Sequence, residues 1–422
     1  MCVSIDFVYK LLIICIGFDS LFSRLILPLN GLKYLVVSFL IFWIIKTNQF
    51  RVSIPIKNRF VKFYVLLTSF SVLISLPFCF DYGFAGLDVP KKYFFFIISV
   101  ICSYYAPKFG IARKELLRFF AKIELVWAIM NPVLYFLSPP IFLNGAQRWY
   151  GRISVGYPTI DVVLYSVAIV IFLFDEDNQQ FYKRRILASV ILLIGIASQS
   201  SGTGIVLSVV IFMIYFVTLL PLKINRNVRY KRNKTLLLVS LFLLSTVSAI
   251  TVFQKVDEVL YEKMVYSVEN RVGILLGEKN VELDVNTLDM RAQEFNDAKK
   301  MYQNTITSQL FGVGFGPINY RPDRNKAMYE TVFLENQFHM FLFSQGFLGV
   351  AVFVLVLISV AYQGIKKINM VLFGCLLVIF FGFFTSVPLM DFPIVSLLGL
   401  LFVMQEDCAY AKKKCCMIER SV

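Results

Sequence analysis

The stretch VFLENQFHMFLFSQGFLGVAVFVLVLISV, Val332 to Val360, divides into two halves. From Gly346 onward it holds no ionisable residue. It reads as a membrane span, because a helix needs about 20 apolar residues to cross a bilayer. The first half is also apolar, yet it carries Glu335, Asn336 and His339, the single histidine of the chain. On a helix Glu335 and His339 stand at i and i+4 and share a face, while Asn336 is turned away by about 100°. A cap at Thr331 places Glu335 in the first turns, where the helix dipole favours a carboxylate. A charge deeper in the bilayer costs about 2.5–3.5 kcal/mol on insertion scales. Polar groups at the mouth of such a span ask for a role.

The rest of the chain has the same character. Its 422 residues are 58% hydrophobic and 16% charged, with a mean hydropathy of +0.71 and 43 phenylalanines, more apolar surface than a soluble core hides. The expectation is an all-α polytopic membrane protein with about twelve transmembrane helices. The spans run over roughly 7–26, 31–46, 60–80, 91–107, 115–137, 158–174, 186–200, 203–222, 235–253, 345–363, 369–387 and 392–404. The first lacks a small-residue cleavage site and reads as an uncleaved signal anchor.

The net charge of +15 raises the question of nucleic acid. Position answers it, because the basic residues recur in alternate connections, as in KINRNVRYKRNK (Lys223 to Lys234). That is the positive-inside pattern, and it predicts both termini in the cytoplasm and no nucleic-acid partner. Lys91 and Lys92 fall on the opposite side and are expected to snorkel from a helix end. The eight cysteines have no zinc spacing and imply neither a metal site nor a disulfide framework. DEDN (Asp175 to Asn178) contains Asp-x-Asp but falls on a predicted cytoplasmic connection, where a solvated turn is expected.

Four regions follow: a membrane region over 1–253 with about nine spans, a large periplasmic loop over 254–331, a second membrane region over 332–404 with about three spans, and a cytoplasmic tail over 405–422. The loop is mixed in charge, with ten Lys/Arg against twelve Asp/Glu, and loops of this length are usually functional. Within it Leu288, Arg291, Phe295, Ala298 and Tyr302 recur at helical spacing, which predicts an amphipathic helix over 288–303. Arg291 either meets an anionic ligand there or pairs on the surface with Glu294 or Asp297. LFGVGFGP follows, with Gly312, Gly314 and Gly316; no Lys-Ser/Thr pair accompanies it, so a tight turn is expected rather than a nucleotide loop.

The ordered set carries more than any one piece. Arg291, Phe295 and Ala298 precede LFGVGFG. Glu335, Asn336 and Phe338 follow, and then GFLG (Gly346 to Gly349) opens a span. Upstream stand GRISVGYPTIDVVLYSVAI (Gly151 to Ile169) and the Ser-rich SQSSGTGIVLSVV (Ser198 to Val210). Together these resemble the O-antigen ligase and polymerase superfamily of bacterial membrane glycosyltransferases. Ligases of that family usually have histidine where Glu335 stands, so the chain is most similar to Wzy-type O-antigen polymerases. The Ser-rich junction of the family often carries an arginine; here Gly202 stands about there.

The resemblance implies a GT-C-like architecture in the inner membrane with a periplasmic active site. The implied donor is an undecaprenyl-diphosphate-linked oligosaccharide, with no cofactor and no metal. The lipid bilayer and a chain-length regulator protein complete the expected partners. A leaving diphosphate calls for preplaced cations, and the planar arginine fork grips phosphate oxygens best. Arg152, Arg148 and Arg291 are the candidates; Arg148 and Arg152, beside Trp149 and Tyr150, also fit an interfacial aromatic belt. The attacking hydroxyl calls for a general base. Glu335 is the candidate, oriented by His339, with Asn336 and the three glycines in support. Glu335 in a salt bridge and His339 hydrogen-bonded inside the bundle are the alternative roles. The competing functions are a ligase acting on lipid A–core and a lipid-linked oligosaccharide flippase.

Overall fold

The computed structural model describes residues 4–24, 26–48, 56, 58–77, 88–137, 152–175, 182–199, 204, 207–211, 213, 262, 296, 299, 305–315, 337–366, 369–385 and 391–404. Among them the chain is mostly helical and no strand occurs. The helices are α1 (Ile5–Gly17), α2 (Asp19–Arg24), α3 (Leu32–Thr47), α4 (Arg59–Ser75), α5 (Asp88–Tyr105), α6 (Arg113–Leu137), α7 (Pro158–Phe174), α8 (Tyr182–Ser198), α9 (Ile306–Phe311), α10 (Gln337–Lys366), α11 (Met370–Thr385) and α12 (Phe392–Met404).

Among the described residues, three segments are long and apolar enough to cross a membrane: Leu29–Thr47, Arg113–Leu137 and Gln337–Ile365. α7 and α12 are shorter, at 17 and 13 residues. At about 1.5 Å per residue neither reaches the roughly 30 Å of a hydrocarbon core. Both are apolar on all sides. Every α12 residue is buried, and so is every α7 residue from Ile160 to Ile171. Helices apolar on all sides belong at the centre of a bundle. α12 packs on α5, and α7 is enclosed by α6, α8 and α11. Apolar side chains of α3 and α4, such as Leu35, Phe42, Phe63 and Leu66, point outward from the bundle.

The expected first span is not one helix. α1 ends at Gly17 and α2 begins at Asp19. Just past the break, buried Asp19 accepts from Lys33 Nζ at 2.6 Å. Of the other expected spans, 203–222 lies largely, and 235–253 wholly, outside the described residues. The 288–303 helix lies outside them except for Asn296 and Lys299.

Contacts between helix ends sort into two sets, one at each end of the bundle. At one end Asp175 accepts from Arg118 Nη2 at 2.8 Å, pairs with Lys114 at 3.1 Å, and receives Arg185 on its carbonyl. Asp175, the first residue of the turn expected to be solvated, is thus held by three basic side chains and is buried, while 176–178 lie outside the described residues. Burial raises its carboxyl, but the Arg118 and Lys114 hydrogen bonds and charges outweigh that and hold it below the usual range. Of the functional candidates, those that are described, Arg152, Gly312, Gly314 and His339, lie toward the other end.

Candidate functional site

α10 begins at Gln337, eight residues before the expected span, and is broken at Gly346, where φ is 66° and ψ is −168°. A break strands the carbonyls whose helical donors it displaces. Here the glycine-rich loop takes the place of those donors. Val313 N–H donates to Phe343 O at 2.8 Å, and Gly314 N–H donates to Ser344 O at 3.0 Å. Gly312, at φ 76°, lies so close that an added Cβ would stand 2.3 Å from the Ser344 carbonyl carbon. The loop is thus a plug in the helix break, where an isolated turn was expected. The stretch Thr305–Phe315, expected within the large periplasmic loop, is packed on the bundle.

Phe315 continues the plug inward. It is fully buried, its N–H donates to Ser75 Oγ at 2.7 Å, and its ring stacks on Tyr93 with centroids 4.0 Å apart. Gln337 Nε2 donates to Tyr93 Oη at 3.0 Å, and Gln345 Nε2 donates to Thr68 Oγ1 at 3.4 Å. Buried polar groups are costly without such partners, so α4, α5, α9 and α10 are fastened to one another here. His339 stands half-buried in the first turns of α10, between Phe338, whose ring meets Phe380 and Phe383, and buried Met340.

Arg152 belongs to a second docked segment at the same end. Ile153 N–H donates to Ser198 O at 2.9 Å, and Val155 N–H donates to Asn131 Oδ1 at 2.8 Å. Asp161, in the first turn of α7, accepts from Ser20 Oγ at 2.8 Å and from Asn131 Nδ2 at 3.1 Å. Gly156 passes directly over that carboxylate; a Cβ there would lie 2.0 Å from Asp161 Oδ2. Arg152 is half-buried at the start of this segment. The sequence reading placed it as an entry into a span but missed the network of Asn131, Ser154, Asp161 and Ser20 that holds it. Asp161 and Asn131 were visible as polar residues inside apolar runs, which is itself a functional signal. So was Glu124, fully buried two turns from Asn131; its carboxylate accepts no hydrogen bond from the described residues.

A charged cluster completes this end. Lys33 Nζ, paired with Asp19, also lies 5.1 Å from the centroid of Phe392. Lys92 is in electrostatic reach of Asp19 and of Asp391, the residue before α12. It thus has a specific role beyond snorkelling. Burial pushes the Asp391 carboxyl up from 3.8 to about 7, against the opposing pull of Lys92 and Lys33 and with a further push from Asp19. A raised pKa stabilises only while the group keeps its proton: the contribution is full below the unfolded value and is lost as pH rises through about 7. Asp391→Asn is therefore expected to raise the melting midpoint above neutral pH and to lose that advantage on acidification. Thermal melts of both proteins at about pH 8 and about pH 4.5 measure this, and an equal gain at both would contradict it.

Gly312 and Gly314 are held against α10, the helix that carries His339, and Arg152 starts a separate segment held by Ser198 and Asn131 toward the same end of the bundle. Arg148, Arg291, Gly316, Glu335 and Asn336 lie outside the described residues. No family model matches the chain, and no curated protein matches it.

Proposed function

We propose that the chain is a membrane-embedded glycosyltransferase of GT-C-like architecture: an O-antigen polymerase that extends a glycan on undecaprenyl diphosphate at the periplasmic face of the inner membrane. The observation that carries this reading is the convergence of two separate pieces of the resemblance. The glycine-rich loop and the Arg152 segment are more than a hundred residues apart in sequence, and both are fastened to the end of the bundle that holds His339.

The chemistry asked of that end is definite. The acceptor sugar hydroxyl gives its proton to Glu335 and forms a new bond to the anomeric carbon of the growing glycan. The anomeric carbon–oxygen bond to the diphosphate breaks, and undecaprenyl diphosphate leaves with the electron pair. Arg152, Arg148 and Arg291 stabilise the charge that develops on the diphosphate. Asn336 and the glycines position these groups. Glu335 in place of the ligase histidine favours transfer to a second lipid-linked unit over transfer to lipid A–core.

Deletion of the gene separates the three readings on a lipopolysaccharide gel. Loss of a polymerase leaves core plus one repeat. Loss of a ligase leaves bare core while lipid-linked polymer accumulates, and loss of a flippase stops both products. The expected result is core plus one repeat; bare core would overturn the proposal.

A further inference from the structure

We propose that α9 lies at the membrane interface, with the side chains of Ile306, Leu310 and Phe311 in contact with lipid acyl chains, so that Thr305–Phe315 is an interfacial membrane element. This holds independently of the reaction proposed above.

The apolar face of α9 is open. Ile306 is 75% exposed, Leu310 47% and Phe311 45%, on a helix of six residues packed against α10. Two observations name what covers that face. The first is depth. The plug fixes α9 at Gly346, where a Cβ would stand 2.4 Å from the Leu310 carbonyl. From Gly346 to the end of α10 at Lys366 is 20 residues, which at about 1.5 Å per residue spans roughly 30 Å, the thickness of a hydrocarbon core. A helix that touches Gly346 therefore sits at the near boundary of that core.

The second observation is continuity. Phe347, Leu355, Ile358, Tyr362 and Ile365 are exposed along one face of α10 and stop at the break. On α4, Phe63, Leu66, Phe70 and Leu73 form a similar exposed stripe, and its neighbour Ile74 adjoins Gly314 of the plug. Stripes of this spacing on the outside of an apolar bundle are lipid-facing, since water would leave them unburied. α9 packs on α10 beside the end of the first stripe, and the plug that follows it reaches the second at Ile74. The capping box of Thr305 and Ser308 closes its N-terminus within the segment: Ser308 N–H donates to Thr305 Oγ1 at 3.1 Å, and Thr305 N–H donates to Ser308 Oγ at 3.1 Å. Polar start and apolar side together fit a helix lying at an interface.

The test is photolabelling of the full-length protein in phosphatidylethanolamine–phosphatidylglycerol vesicles doped with a phospholipid that carries a diazirine in its acyl chain. After irradiation and digestion, mass spectrometry is expected to find adducts on Ile306–Phe311 at a yield comparable to the Phe347–Ile365 stripe. Adducts on that stripe with none on Ile306–Phe311 would overturn the proposal. So would protection of Ile306–Phe311 accompanied by cross-links between two copies of the chain, which would make this face a protein contact.

Discussion

Replacing Arg152 or Arg291 by alanine is expected to lower the rate of polymer formation by about 10²–10³ while the protein still folds, because each removes a donor from a leaving group that gains negative charge. Glu335→Ala removes the proposed base, for an expected loss of about 10²–10⁴. In cells all three variants should give the core-plus-one-repeat pattern at normal protein level. Arg152→Lys restores a charge but not the bidentate fork, and should recover only part of the rate. Lipopolysaccharide gels with immunoblots of the protein read both quantities. A full ladder from all three alanine variants would sink the site assignment. A missing ladder together with missing protein would assign Arg152 a structural role, given its place in the segment held by Asn131 and Ser198.

Gly312→Ala is expected to destabilise the bundle by about 2–5 kcal/mol, from a left-handed backbone that alanine adopts poorly and from overpacking. The φ of 76° supplies the first contribution. The second comes from Ser344 and Gln345, whose backbone atoms lie 2.3–2.5 Å from the new Cβ and cannot swing aside as a side chain would. Gly110 is the control. Its φ is 80°, yet nothing lies within 4 Å of an added Cβ. Gly110→Ala should therefore cost only the backbone strain, about 1 kcal/mol. Melting midpoints of the two variants in the same detergent measure the difference. If both melt alike, the loop is not held in the α10 break. The docking of Phe315 on Tyr93 and Ser75 would then fall with it.

Helix ends marked by local chemistry were legible in the sequence. Pro158 after a polar segment marks the start of α7, and the expected 158–174 is the observed helix. The expected 392–404 is likewise α12. What sequence did not reveal depends on partners distant along the chain. A helix through Glu335 and His339 was expected, with the span beginning near residue 345, but the partners of Gln337 and Gln345 were not legible. In the fold Tyr93 and Thr68 satisfy these two side chains, and the helix starts at Gln337. Buried Asp19, just past the break after Gly17, likewise depends on a distant partner, Lys33. Asp175 looked solvated because its neighbours in sequence are polar; Lys114 and Arg118, on another helix, bury it. The glycines of LFGVGFG announced an unusual backbone, but the helix break that needs them lies some 30 residues further on.

The most direct measurement is made on the purified, full-length protein in vesicles, supplied only with repeat units on undecaprenyl diphosphate. The account predicts lipid-linked chains of increasing repeat number, formed without nucleotide sugar, with one undecaprenyl diphosphate released for each new glycosidic bond. Chains that never exceed one repeat, or transfer that occurs only when lipid A–core is added, would contradict it.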